Sequence, residues 1–115
     1  MEMGLVVHIE NSGKDRILRL EGRVDAASSA ILEKKMLDLI QDKHVTFAMD
    51  FSKVDYLSSA GIRLFLSMMK KLHHQGGKMV FFSVGEDVME VIKLAGFDKI
   101  LNIFSNEEEA IQALR

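Results

Sequence analysis

At 115 residues, 48% apolar and 28% charged, the chain has the size and balance of one globular domain with a real core. The absence of cysteine excludes disulfides, thiolate metal sites and a cysteine nucleophile. A net charge of −2 disfavours a nucleic-acid partner, and no apolar run reaches the roughly 20 residues that span a bilayer.

Glu2 stands where a secretory signal would be basic, so the expectation is a soluble, cytoplasmic protein without membrane insertion. Proline is also absent, so element boundaries must be read from glycine and capping chemistry. Leu5–Ile9 and Arg16–Leu20 are apolar runs separated by Asn11-Ser12-Gly13-Lys14, the pattern of a β-hairpin. Gly22-Arg23-Val24-Asp25 then leads into a helix with Leu32, Met36, Leu39 and Ile40 on one face. Asp25 is its start signal, because the carboxylate can accept orphan amides of the first turn.

Val45–Met49 reads as a buried central strand and Phe51–Leu57 as a connecting loop. A second helix spans about Ser59 to Gln75 and stops at Gly76-Gly77. Its stripe of Ile62, Phe65, Leu66, Met69 and Leu72 should face the sheet, leaving Leu64 and Met68 near solvent. Met79–Phe82 is the next strand. Ser83 with Glu86 predicts a capping box opening a helix whose inner face is Val88, Val91, Ile92 and Ala95, with Gly96 as its stop. Ile100–Phe104 forms a last strand, and Ser105 with Glu108 a second box. The order β-β-α-β-α-β-α-β-α predicts an α/β domain: a mostly parallel sheet of four to five strands with a hairpin edge and about four helices.

The catalytic inventory is poor. His73 and His74 are adjacent and point about 100° apart on a helix, so they cannot share one metal from a regular face. His8 alternates with Val7 and Ile9 and belongs on the surface. Asp50 and Asp55 are carboxylates with no partnering histidine; a hydrogen-bond acceptor is the simpler role for Asp50. No G-x-x-x-x-G-K-S/T, G-x-G-x-x-G or G-x-S-x-G motif occurs, so neither a phosphate loop nor a nucleophile elbow is present. These gaps make a small hydrolase or nucleotide-binding enzyme the weakest reading, with no cofactor or metal expected.

One segment stands apart. Ser58-Ser59-Ala60-Gly61 places two hydroxyls where the second helix begins. One serine suffices as an N-cap. The other is an accessible phosphoryl acceptor, and a phosphate there would meet orphan amides and the positive helix end.

At these residues the chain resembles the STAS family, the domain shared by anti-sigma factor antagonists and sulfate transporters. Its members carry D-x-S-x-V-x-x-h-D-S-S-G-h, with h apolar, between a strand and a helix. Asp50, Ser52, Val54 and Leu57-Ser58-Ser59-Ala60-Gly61-Ile62 follow that pattern, with Ser58 in place of the family aspartate and Ala60 in place of the second serine. Gly22-Arg23-Val24-Asp25, Gly76-Gly77-Lys78 and Leu94-Ala95-Gly96-Phe97 extend the likeness over essentially the whole chain.

The resemblance implies a stand-alone, non-enzymatic switch. It would sequester a serine kinase anti-sigma factor, and so release a sigma factor, until Ser59 is phosphorylated; a PP2C-type phosphatase would reset it. Ser58 is the alternative acceptor. The partner surface would comprise Asp25, Ser58, Ser59, Ala60, Gly61 and Arg63, with Leu64 and Met68, which lie off the inner stripe of the second helix, as an adaptable apolar docking patch beside Ser59. The alternative is a STAS subunit docking on an ABC-type membrane transport complex without a phosphoryl switch.

Overall fold

A computed structural model of the chain describes residues 4–115; residues 1–3, on which the reading against a secretory signal partly rests, lie outside it. Strands β1 (Leu5–Ser12) and β2 (Asp15–Val24) form the expected antiparallel hairpin, from Leu5 opposite Gly22 to Ser12 opposite Asp15. Gly13, at φ +60°, supplies the left-handed conformation that the short turn needs. Strands β3 (Thr46–Leu57), β4 (Lys78–Phe82) and β5 (Ile103–Phe104) follow in parallel, and spatial order equals chain order.

That order decides where the helices go. Right-handed crossovers between successive parallel neighbours return each connecting helix to one face of the sheet. Helices α1 (Ala26–Gln41), α2 (Ser59–His74) and α3 (Glu86–Leu94) accordingly share one core with the sheet. Leu32, Met36, Ile62, Phe65, Met68, Val88 and Ile92 meet Leu18, Leu20, Phe47, Met49 and Phe81 there. The rings of Phe51, Phe65 and Phe81 form a tilted, edge-on trio with centroids 5.2–5.6 Å apart. The last helix, α4 (Glu107–Ala113), packs on the opposite face over Ile17, Ala48, Val80 and Phe82 through Ala110 and Leu114.

Several expectations are corrected. Phe51–Leu57 is not a loop but the second half of a 12-residue β3, paired with an equally prolonged β2. Two register shifts, between Arg19 and Glu21 and between Gly22 and Arg23, disturb the alternation there. The buried residues become Phe51, Val54 and Leu57, every third position, which conceals a strand.

Neither serine box forms. Ser83 lies just past β4 in the left-handed region at φ +56°, its amide donating to the Phe104 carbonyl at 3.3 Å, and α3 starts two residues later from Gly85 without a side-chain cap. Asn106 caps α4 instead of Ser105, accepting from the Glu109 amide at 2.9 Å. The last strand keeps only two residues, and Ile100 is exposed in the turn before it. Only Val88 and Ile92 of α3 point inward; Val91 and Ala95 face out. Gly96 does end that helix, at φ +83°.

Leu64 and Met68 are the largest correction. Both are buried, at 7% and 0% exposure, because α2 packs against α1 as well as against the sheet. Leu66 and Met69, placed on the inner stripe by helical spacing, are only half-buried.

Candidate functional site

The prolonged ends of β2 and β3 run past the last β3–β4 pair, Asp50 opposite Phe82, and deliver the starts of α1 and α2 side by side. At the first start, Asp25 is the N-cap as its chemistry predicts. Its carboxylate accepts the Ser28 amide at 3.0 Å, and the Ser28 hydroxyl oxygen accepts the Asp25 amide at 2.9 Å. Those bonds, first from the Ser28 amide and then from its hydroxyl, hold the Asp25 carboxyl below its ordinary value.

At the second start the two serines divide. Ser58 is the N-cap: its hydroxyl oxygen accepts the Gly61 amide at 3.1 Å, and its own amide donates to the Val24 carbonyl at 2.9 Å. Ser59 is the first helical residue, and it is exposed. Its amide and that of Ala60 lie in the first turn, where no intrahelical acceptor exists.

The next residue explains how the two starts come so close. A Cβ on Gly61 would lie 2.7 Å from Leu57 Cδ1 and 2.8 Å from Val24 Cγ1, so only glycine lets α2 settle on the strand ends. Gly61 is buried by that contact and cannot itself meet a partner. Leu64 and Met68 are likewise core residues, which removes the apolar docking patch expected on α2. What α2 exposes is Ser59, Arg63, Ser67, Lys70, Lys71, His73 and His74, with Ala60 half-buried beside Ser59. A shallow groove between the helices is lined by Ser29 and Glu33 of α1 and by Ala60 and Arg63 of α2.

Two features near this end leave no local signal in the sequence. The Arg23 guanidinium lies over the ring of Tyr56, the only tyrosine, at 4.0 Å, and Tyr56 is 40% exposed. Strand register pairs these residues, but that register depends on the shifts noted above. The other is on the opposite face, where Arg19 binds Glu10 at 2.6 Å, Asp50 at 2.8 Å and Glu107 at 3.0 Å. Asp50 is therefore an acceptor, as expected, but in mid-strand rather than at a strand end or in a loop. Burial pushes its carboxyl up, while Ser52 and Arg19 outweigh that and hold it below the ordinary value.

His8 is exposed, and the rings of His73 and His74 stand 6.3 Å apart in edge contact. Among the described residues, no three of His, Asp and Glu converge to hold a metal ion, and no helix is long and apolar enough to cross a membrane.

The STAS domain model matches residues 7–110. This chain belongs to the STAS domain family. Curated relatives include the anti-sigma F factor antagonist of Paenibacillus polymyxa, 26% identical over 113 residues and covering 97% of each chain. Among solved structures, an anti-sigma factor antagonist from Mycobacterium paratuberculosis superposes with a TM-score of 0.86 at 21% identity, covering 96% of this chain and 94% of its own. The antagonist SpoIIAA is similar in its unphosphorylated form, with a TM-score of 0.82 at 22% identity and 96% of each chain covered. The phosphorylated form of SpoIIAA, from Bacillus, gives 0.72 at 21% identity, covering 96% of this chain and all of its own. The five-stranded α/β architecture is thus the STAS fold.

Proposed function

We propose that this protein is an anti-sigma factor antagonist: a cytoplasmic binding protein, not an enzyme, that docks on a serine kinase anti-sigma factor and so frees a sigma factor. The observation that carries the reading is the division of the two serines. The Ser58 hydroxyl is engaged in capping, whereas Ser59 presents its hydroxyl to solvent at the position of the STAS phosphoserine.

In the modification, Ser59 Oγ attacks the γ-phosphorus of ATP held by the kinase. The new O–P bond forms as the bond to the ADP oxygen breaks, and the hydroxyl proton passes to a base of the kinase. The phosphate adds about −1.5 to −2 charges beside the half-buried Ala60, and an interface closed over that spot must then desolvate them. Docking is lost. A PP2C-type phosphatase restores it by directing water onto phosphorus, which breaks the O–P bond to Ser59 and releases inorganic phosphate.

Incubation with the co-purified kinase and ATP, followed by mass spectrometric mapping, tests the reading. The expected product carries phosphate on Ser59. Phosphate on Ser58 alone would move the site by one residue. A stable complex that leaves both serines unmodified would favour docking on an ABC-type transport complex.

A further inference from the structure

We propose that Arg63 is the internal counter-ion of phosphorylated Ser59, so that the phosphate folds along α2 onto the guanidinium and reinforces the first turn. The inference rests on Ser59 being the phosphoacceptor and adds to that reading a device within the chain itself.

Geometry comes first. Ser59 and Arg63 stand four residues apart on one helix and both are exposed, so they are neighbours on one stripe with Cβ atoms about 5–6 Å apart. An arginine side chain is long enough to bring its planar fork onto a phosphate over that distance. The orientation is the favourable one, with the anion toward the helix N-terminus and the cation one turn on.

Electrostatics point the same way. Arg63 makes no ion pair among the described residues, and α2 carries Arg63, Lys70, Lys71, His73 and His74 with no acidic residue. The cap next to Ser59 is the neutral Ser58 where the family pattern has aspartate, so the phosphate has no carboxylate as its chain neighbour, and the carboxylate at the neighbouring α1 start, Asp25, is already bonded to Ser28. The carboxylate sharing Arg63's groove is Glu33 on α1, a single charge against the phosphate's nearly two. Phosphorylation then changes the surface twice: it adds a dianion and withdraws the Arg63 cation from whatever met it before.

The test uses the full chain with phosphoserine encoded at position 59, which needs no kinase. Phosphorus NMR follows the second ionisation of the phosphate against pH. The expected midpoint lies below the value near 6 of an isolated phosphoserine, and Arg63→Gln should raise it by about 0.3–0.5 of a unit. Arg63→Lys should return part of that shift, Glu33→Gln should not raise the midpoint, and about 0.5 M salt should shrink the arginine effect. The phosphorylated chain should also melt above the unmodified one, by a margin that Arg63→Gln reduces. A midpoint unmoved by Arg63→Gln overturns the proposal, as does a phosphorylated chain that melts lower. Equal melting of unmodified wild type and unmodified Arg63→Gln confirms that the variant reports on the phosphate rather than on folding. The kinase assay is independent: pairing with Arg63 can hold when no kinase modifies Ser59, and a kinase can modify Ser59 when no pairing exists.

Discussion

The two faces of the sheet are held by different forces. On the face covered by α1, α2 and α3, contact is almost wholly apolar, with Phe47, Phe65, Met36, Met68 and Leu72 removed from solvent. On the other face α4 is seven residues long, too short to hold as an isolated helix, and buries only Ala110, joined by Leu114 just past its end, against four strand residues. Polar ties at both ends make up the difference. Arg19 reaches Glu107 at its start; Arg115 reaches Asp15 and Lys78 Nζ donates to the Ala113 carbonyl at its end. The face that carries the candidate site is therefore insensitive to charge in its interior, while the face behind it depends on ionised carboxylates.

Substitutions in the apolar face should be the most damaging. Phe65→Ala empties the centre of the aromatic trio and should cost about 3–5 kcal/mol in denaturant unfolding. Leu64→Glu combined with Met68→Glu belongs to the same class, since it buries two carboxylates between α1, α2 and the sheet. That double variant should lose its cooperative melt. A melting temperature close to the parent's would show instead that α1 does not cover this flank.

The polar face should yield to smaller changes. The Asp15 side chain is wholly buried, accepting from Thr46 Oγ1 at 2.6 Å and pairing with Arg115. Asp15→Asn keeps the shape but weakens two charge-assisted bonds, for an expected loss of about 1.5–3 kcal/mol. Hydrogen exchange should localise that loss to α4 and the start of β2, leaving α2 protected.

Acid should separate the faces without mutation. Burial raises Asp15 and Asp50, but Thr46 and Arg115 at one, and Ser52 and Arg19 at the other, hold both below their ordinary values. Glu10 is lowered by its bond to Arg19. Carboxyls depressed in the folded state contribute stability that is complete above the unfolded value near 4 and fades as pH falls through the lower folded values. Exchange of the α4 amides should therefore accelerate below about pH 4 before that of α2 does; the first turn of α1, whose Asp25 cap is lowered in the same way, should loosen over the same range. Simultaneous loss of all four helices would mean that the faces are not energetically separate.

The same contrast explains what could be read from the sequence. Element order, the Asp25 cap and the Gly76 and Gly96 stops were legible, because each depends on neighbours within a few residues. So was the start of α2 at Ser58 and Ser59, which depends on one short stretch. The second half of β3 was not, since the shifts against β2 put Val54 and Leu57 three apart among Lys53, Asp55 and Tyr56. The burial of Leu64 and Met68 was also hidden, because a helical stripe marks one neighbour and α2 has two. Arg19 could not be found by local pattern at all: its partners lie 9, 31 and 88 residues away in the chain.

The smallest expected effect is at the candidate site, where the proposed function assigns adjacent serines different roles. Ser58→Ala removes the acceptor for the Gly61 amide and should cost about 0.5–2 kcal/mol. Ser59→Ala removes an exposed hydroxyl that makes no hydrogen bond among the described residues, so its effect on unfolding should stay within about 0.5 kcal/mol. In kinase binding the ranking should reverse. Ser59→Ala should bind constitutively, Ser59→Asp should bind more weakly, and Ser58→Ala should bind as the parent does once its lower stability is allowed for. The aspartate variant is an incomplete substitute, because a single carboxylate supplies less charge and fewer acceptor oxygens than phosphate. Equal stability losses in the two alanine variants would mean that the capping role is shared between the serines, and the free hydroxyl at position 59 would lose its claim to be the acceptor.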